Sequence, residues 1–177
     1  PHSYLFVPGN RPDRFDKAIT FGADAVILDL EDSVPPSEKE AARAHVARWL
    51  STGRKALVRV NGTDTVWFRD DLECCASDGV AGIVLPKAEH EEDVLFVARV
   101  CNGKPILLLI ETAMGISKLD MLVQSTQVQR VIFGTIDFQL DLGIEGDGEE
   151  LLYFRSKIVL SSRLAGILPP IDGVCTV

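Results

Sequence analysis

Seven short apolar runs punctuate the chain, at residues 4–7, 25–30, 56–60, 82–85, 106–110, 131–134 and 171–174. Within each run Val, Ile and Leu stand side by side instead of alternating with polar residues. That is the pattern of a strand buried on both faces, as in a parallel sheet. Between the runs, apolar residues recur at helical spacing. Pro12 suits a first helical turn, and Phe15, Ala18 and Ile19 follow it, with a stop near Gly22. Ser37 and Glu40 have the spacing of a capping box ahead of residues 41–50. Thr63 or Asp64 is placed to cap a segment carrying Trp67, Leu72 and Cys75. Residues 91–101 set Val94, Val97 and Cys101 along one side, and Ile116, Leu119, Leu122 and Val123 mark a short helix. The longest helix is expected over residues 148–165, where Leu151, Leu152, Phe154, Ile158, Val159 and Leu164 lie on more than one side.

Alternating strands and helices imply a parallel sheet with right-handed crossovers. Two architectures compete, a closed eight-stranded barrel and an open doubly wound sheet. A barrel takes about 250 residues. Seven strands in 177 residues therefore predict an α/β, TIM-like (β/α) barrel, incomplete after strand seven. Residues 1–177 are read as one barrel domain that lacks the usual eighth unit and C-terminal region. Seven parallel strands leave an open edge, and the two-sided helix 148–165 then predicts a homo-oligomer.

Composition narrows the function without changing this picture. Hydrophobic residues make up 46% and charged residues 25%, the balance of a globular protein and not of a disordered one. No apolar run approaches the ~18 residues of a membrane span, so no membrane partner is expected. Lys and Arg total 18 against 26 Asp and Glu, a formal charge of −8, which argues against nucleic acid as a partner. Cys74, Cys75, Cys101 and Cys175 lack CxxC spacing and a nearby His, so zinc is not expected. They are read as small buried residues in a reducing cytoplasm. Pro1 in place of Met is read as processing, tag removal or a start further upstream, and no signal-peptide pattern opens the sequence.

The candidate chemistry lies where the apolar runs stop. Asp29, Glu31 and Asp32 follow the second run, Arg59 and Asn61 the third, Pro86-Lys87 the fourth, Glu111-Thr112 the fifth, and Gly134 and Asp137 the sixth. In a parallel barrel these ends open on one face, where active sites sit. An open sheet exposes them near its ligand crevice. Glu111 and Asp137 offer hard oxygen ligands, and two carboxylates with water and substrate oxygens are a usual Mg²⁺ site. Arg59 has the planar fork that fits a substrate carboxylate. Lys87 is a compact charge suited to a phosphate or an acidic neighbour. Gly9-Asn10-Arg11-Pro12 fits either an anion cradle at a helix N-terminus or a plain strand-to-helix turn. Of Asp29 and Glu31, one is expected to be a buried orienter and the other a helix cap. No nucleophile elbow, P-loop or dinucleotide fingerprint occurs.

The order of these blocks is familiar. Ser3-Tyr4-Leu5-Phe6-Val7-Pro8-Gly9-Asn10-Arg11-Pro12 and Ala25-Val26-Ile27-Leu28-Asp29-Leu30-Glu31-Asp32-Ser33-Val34 open it. Val58-Arg59-Val60-Asn61-Gly62, Leu85-Pro86-Lys87, Ile110-Glu111-Thr112, Phe133-Gly134 with Asp137, and Ile171-Asp172-Gly173-Val174 continue it. The chain resembles the citrate lyase β-subunit-like proteins of the HpcH/HpaI aldolase superfamily along essentially its whole length. That resemblance implies a TIM-like barrel in homotrimers or larger assemblies. It implies Mg²⁺-dependent making or breaking of a carbon–carbon bond in an acyl-CoA or acyl-carrier thioester, with a 2-oxo acid as the other piece. By resemblance, Glu111 and Asp137 are the metal ligands and Arg59 binds the oxo-acid carboxylate. Lys87 and residues 9–12 (Gly9, Asn10 and Arg11 among them) lie near the substrate mouth, and Glu31 and Asp32 belong to the catalytic surroundings. The residues themselves assign no base; Glu31 and Asp32 are the candidates if the family's C-terminal tail is absent. Three departures stand out: the family's usual Pro after Glu-Thr is Ala113 here, its usual Leu after the Asp is Phe138, and the sequence stops at Val177 where the family continues through an eighth strand and a C-terminal region. A lyase of the citryl-CoA or malyl-CoA type is expected. The alternatives are a thioester hydrolase on the same metal site and a binding or assembly subunit with impaired catalysis.

Overall fold

The computed structural model describes residues 1–175. Its strands are β1 (Tyr4–Pro8), β2 (Ala25–Asp29), β3 (Ala56–Arg59), β4 (Val80–Leu85), β5 (Ile106–Ile110) and β6 (Val128–Phe133), in that order along one six-stranded sheet. The helices are α1 (Phe15–Thr20), α2 (Lys39–Leu50), α3 (Phe68–Cys75), α4 (Glu91–Val100), α5 (Ala113–Ser117), α6 (Leu119–Leu122), α7 (Thr135–Leu142) and α8 (Leu152–Leu164). Short 3-10 turns at Pro12–Arg14, Pro36–Glu38 and Glu149–Leu151 lead into α1, α2 and α8. No helix of the described residues is long and apolar enough to cross a membrane. The chain folds as two compact units, residues 1–84 with 99–105, and residues 85–98 with 106 onward.

In the first unit β1, β2, β3 and β4 pair in parallel. Val26, Ile27 and Leu28 of β2 are all buried, as an unbroken apolar run requires of a strand covered on both sides. In β1 only Val7 is fully buried, in keeping with its place at the end of the strand order. Ala42, Val46 and Leu50 form the buried stripe of α2, and Phe15 of α1 meets Trp49 edge-on at 5.7 Å. The larger of these side chains, Val46, Leu50 and Phe15, each contribute about 1.5–3 kcal/mol on burial.

Two expected caps are absent here. The α2 helix starts at Lys39 with Glu38 in the cap position and no side-chain cap, so the Ser37–Glu40 box is not formed. The cause is the proline pair: Pro35 is extended and Pro36 opens a 3-10 turn, which places Ser37 inside that turn. The α3 helix starts after Trp67, also without a side-chain cap, because the chain turns earlier at the Thr65 N–H to Gly62 carbonyl bond of 3.0 Å.

In the second unit β5 pairs with β6, and all five residues of β5 are buried. A helix not expected from the sequence, α7, begins directly after β6 and ends at Gly143, whose φ of 65° is the left-handed conformation that glycine adopts freely. The regular seventh strand expected over 171–174 is not formed. Ile171 alone bridges to Ile132, donating to the Val131 carbonyl and accepting from the Phe133 N–H, both at 2.9 Å. Pro169 and Pro170 cannot donate to a ladder, and Asp172 turns its carboxylate onto the Gly173 N–H at 2.8 Å. The expected continuation to Thr176 lies outside the described residues. On α8, Leu151 at the cap and Ile158 are buried, whereas Leu152, Val159, Leu160 and Leu164 are exposed.

Candidate active site

The parallel ladder continues past the strand ends and fixes the loops that follow them. Gly9 N–H donates to the Asp29 carbonyl at 2.7 Å, and Leu30 N–H to the Arg59 carbonyl at 2.9 Å. A side chain at Gly9 would stand 2.8 Å from that Asp29 oxygen, so the close passage of the two backbones requires glycine.

Asp29, 1% exposed, is the buried orienter. It takes Arg59 Nε on Oδ1 at 2.6 Å and Arg59 Nη2 on Oδ2 at 2.7 Å, a two-bond fork. The Glu31 N–H donates to Oδ1 at 2.9 Å, and both the N–H and hydroxyl of Ser33 donate to Oδ2. Burial by itself pushes the Asp29 carboxyl up. The Arg59 guanidinium and the Ser33 and Glu31 donors outweigh it and hold the group below the ordinary carboxylate range. Glu31 is not a helix cap. Its Oε2 lies 3.2 Å from Arg59 Nη1 and accepts the Asp32 N–H at 2.9 Å. The Arg59 guanidinium also lies over the Phe6 ring, 5.1 Å from its centroid. Asp32 is exposed and reaches this cluster through its backbone.

Two buried charged residues of this unit were not singled out in the sequence. Lys39, 6% exposed, donates to the carbonyls of Leu30 and Glu31 at 2.8 and 2.5 Å. Asp71, 1% exposed, accepts the N–H and Nδ2 of Asn61 at 2.9 and 2.6 Å and the Nε of Arg43 at 2.8 Å. The signal was available: Lys39 shares a helical stripe with Ala42, Val46 and Leu50, and Asp71 shares one with Phe68, Leu72 and Cys75. A charge on an apolar stripe is a buried charge with a partner.

The residue 9–12 turn behaves as a strand-to-helix connection. Arg11 pairs with Asp13 through Nε and Nη2 at 3.0 and 2.9 Å, an exposed pair. Asn10 donates to Glu38 at 2.6 Å. The helical turn it opens, Pro12–Arg14, is only a three-residue 3-10 turn.

In the second unit Glu111 follows β5 and is 3% exposed. Its Oε1 accepts the backbone N–H of Lys87 at 2.9 Å. The Lys87 peptide thus meets Glu111 directly, and the exposed Lys87 side chain rises from a left-handed φ of 46°. Ile110 pairs with Phe133, which places Glu111 beside Gly134. A Cβ on Gly134 would stand 2.7 Å from Glu111 Cβ and 2.8 Å from Oε2, so the missing side chain makes room for this carboxylate. Asp137 sits in the first turn of α7, three residues on, and is half-buried. Thr112 caps α5 through the Gly115 N–H at 3.0 Å and donates to Glu89 at 2.7 Å. At Ala113, where the resemblance expects Pro, a backbone N–H donates to Asp141 at 2.7 Å, a bond that proline cannot make. Phe138 is fully buried and packs edge-on against Phe133 and Phe154 at 5.0 and 4.7 Å.

Among the described residues, no group of three or more His, Cys, Asp or Glu is placed to hold a metal. A pair of carboxylates at adjacent strand ends fits a hard cation that keeps several waters, which is how Mg²⁺ is bound. The cysteines are all free. Burial pushes the Cys101 thiol up to about 11 and Cys75 well above its ordinary value, which leaves neither as a thiolate nucleophile.

Parallel strands with their polar residues at the C-terminal ends are the arrangement of α/β enzymes, (β/α) barrels among them. The family model of the HpcH/HpaI aldolase/citrate lyase family matches residues 2–176, and the chain belongs to that family. The citrate lyase subunit beta of Leuconostoc mesenteroides subsp. cremoris is 34% identical over 92% of this chain and 60% of its own length. The (3S)-malyl-CoA thioesterase of Cereibacter sphaeroides is 36% identical over 97% of this chain and 62% of its own. The chain thus spans about six tenths of the length of these curated relatives. The CitE protein of Mycobacterium tuberculosis, solved with magnesium, acetoacetate and coenzyme A, superposes with a TM-score of 0.83 at 30% identity, covering 98% of this chain and 65% of that one. The fold is accordingly α/β and TIM-barrel-like.

Proposed function

We propose that the protein is a Mg²⁺-dependent carbon–carbon lyase acting on a citryl-CoA or malyl-CoA type thioester and yielding an acyl-CoA and a 2-oxo acid. The observation that carries this reading is Glu111, a buried carboxylate seated in the space that Gly134 leaves open, with Asp137 in the next helical turn. Glu111 and Asp137 hold the metal, whose chemistry is that of a Lewis acid and template for substrate oxygens. Arg59, gripped by Asp29, binds and orients the carboxylate of the acid. Glu31, in contact with Arg59, takes the proton of the substrate hydroxyl. As that oxygen becomes the oxo group, the adjacent carbon–carbon bond breaks and its electron pair leaves on the thioester fragment, which is then protonated. Lys87, with its exposed ammonium, and the residue 9–12 turn lie toward the thioester.

Titration calorimetry of Mg²⁺ tests the metal assignment. Glu111→Gln and Asp137→Asn are expected to abolish Mg²⁺ binding with the melting temperature near that of the wild type. Unchanged affinity in both variants contradicts it.

The 36%-identical thioesterase relative supports a second reading, hydrolysis of a malyl-type thioester at the same metal site. The two reactions differ in their products. The lyase leaves an acyl-CoA and an oxo acid, whereas the hydrolase leaves free CoA and the intact hydroxy acid.

A further inference from the structure

Lys39 is the least expected charge in the first unit. It is the first residue of α2, 6% exposed, on the side of the helix that otherwise carries Ala42, Val46 and Leu50. Burial lowers the pKa of its ammonium, with the Glu31, Asp29 and Asp71 carboxylates acting against that shift and Arg59 adding to it. A buried amine of this kind is retained only when its donors are used. Two go back eight and nine residues to the carbonyls of Glu31 and Leu30. The ammonium also lies 5.5 Å from the centroid of the Trp67 ring, within the range of a cation–π contact.

Those two carbonyls belong to the loop that leaves β2. Asp29, the last residue of β2, fixes Nε and Nη2 of Arg59, and Glu31 in the loop meets Nη1. The Glu31 peptide is thus held on both sides, by its N–H on Asp29 and by its carbonyl on Lys39 and on the Val34 N–H at 3.1 Å. We infer that Lys39 is a positioning residue for acid recognition: its ammonium pins the Leu30–Glu31 backbone, which sets the Glu31 carboxylate against Arg59 Nη1 and fixes the plane in which the guanidinium presents itself to a carboxylate ligand. This deepens the proposed role of Arg59 and rests on it.

Oxaloacetate binding to the Mg²⁺-loaded protein, read by calorimetry, tests this in a double-mutant cycle. Lys39→Met is expected to weaken oxaloacetate binding about tenfold, the size of one lost charge-assisted hydrogen bond. Mg²⁺ affinity is expected to stay at the wild-type value. In a Glu31→Gln background the same Lys39 change is expected to have little further effect, because Lys39 acts through Glu31. Lys39→Gln, which keeps a neutral donor for the Leu30 carbonyl, replaces Lys39→Met where the latter does not fold, and the same coupling is expected. Unchanged oxaloacetate binding in the Lys39 variant, or an equal loss with and without Glu31→Gln, overturns the inference. Arg59→Lys is measured alongside. If it binds oxaloacetate as the wild type does, the anchoring role of Arg59 fails and takes the inference with it. If it binds weakly while the Lys39 variant is unaffected, the inference alone fails.

Discussion

Asp29 holds Arg59 by two parallel hydrogen bonds of 2.6 and 2.7 Å from Nε and Nη2, so the guanidinium that faces the proposed acid is oriented before any ligand arrives. The pair joins the end of β2 to the end of β3, where Asp29 and Arg59 are directly paired in register. Removing one member of a buried, hydrogen-bonded ion pair leaves the other charge uncompensated and costs about 3–5 kcal/mol. Asp29→Asn is therefore expected to lower the unfolding free energy by an amount near the lower end of that range, measured by urea denaturation. A midpoint unchanged from the wild type contradicts the role given to the fork.

The same carboxylate makes stability depend on acid. Its native pKa lies below the ordinary value of about 3.9, despite burial, because Arg59, Ser33 and Glu31 favour the ionised form. The stability it contributes is fully present above that ordinary value and is lost as pH falls through the lower native value. Denaturation profiles are expected to drop below about pH 4 and to drop less steeply in Asp29→Asn. Equal slopes in the two proteins count against Asp29 as the source.

Gly134→Ala isolates the seat of Glu111. With φ near −80° the backbone there accepts alanine, so the expected effect comes from contact alone. The added methyl would meet Glu111 Cβ and Oε2 at under 3 Å and displace the carboxylate. Mg²⁺ affinity is expected to fall by about tenfold or more, as for changes beside a metal ligand. Wild-type Mg²⁺ affinity in Gly134→Ala separates Glu111 from the metal.

Much of this arrangement was legible in the residues. The apolar runs marked each strand of the described residues, although β6 carries Gln129 and Arg130 ahead of its apolar run. Asp29, Arg59 and Glu111 stood where those runs stop. The α7 helix was not legible, since Ile136, Phe138, Leu140 and Leu142 alternate with polar neighbours, the period of a half-buried strand, although Gly143 marks its end. Strand seven was overread because Ile171 follows two prolines that deny it a ladder. Backbone contacts were not legible: Lys87 was read for its charge, and its peptide N–H also touches Glu111. Lys39 and Asp71 were not singled out; their helical stripes marked them as buried, but their partners lie 8 to 28 residues away along the chain and no local pattern names those.

The most direct test is product analysis after the protein is mixed with malyl-CoA or citryl-CoA and Mg²⁺. Mass spectrometry is expected to find an acyl-CoA and a 2-oxo acid in equal amounts, with neither formed when a chelator removes the metal. Free CoA with the intact hydroxy acid, or an unchanged thioester, contradicts the lyase account.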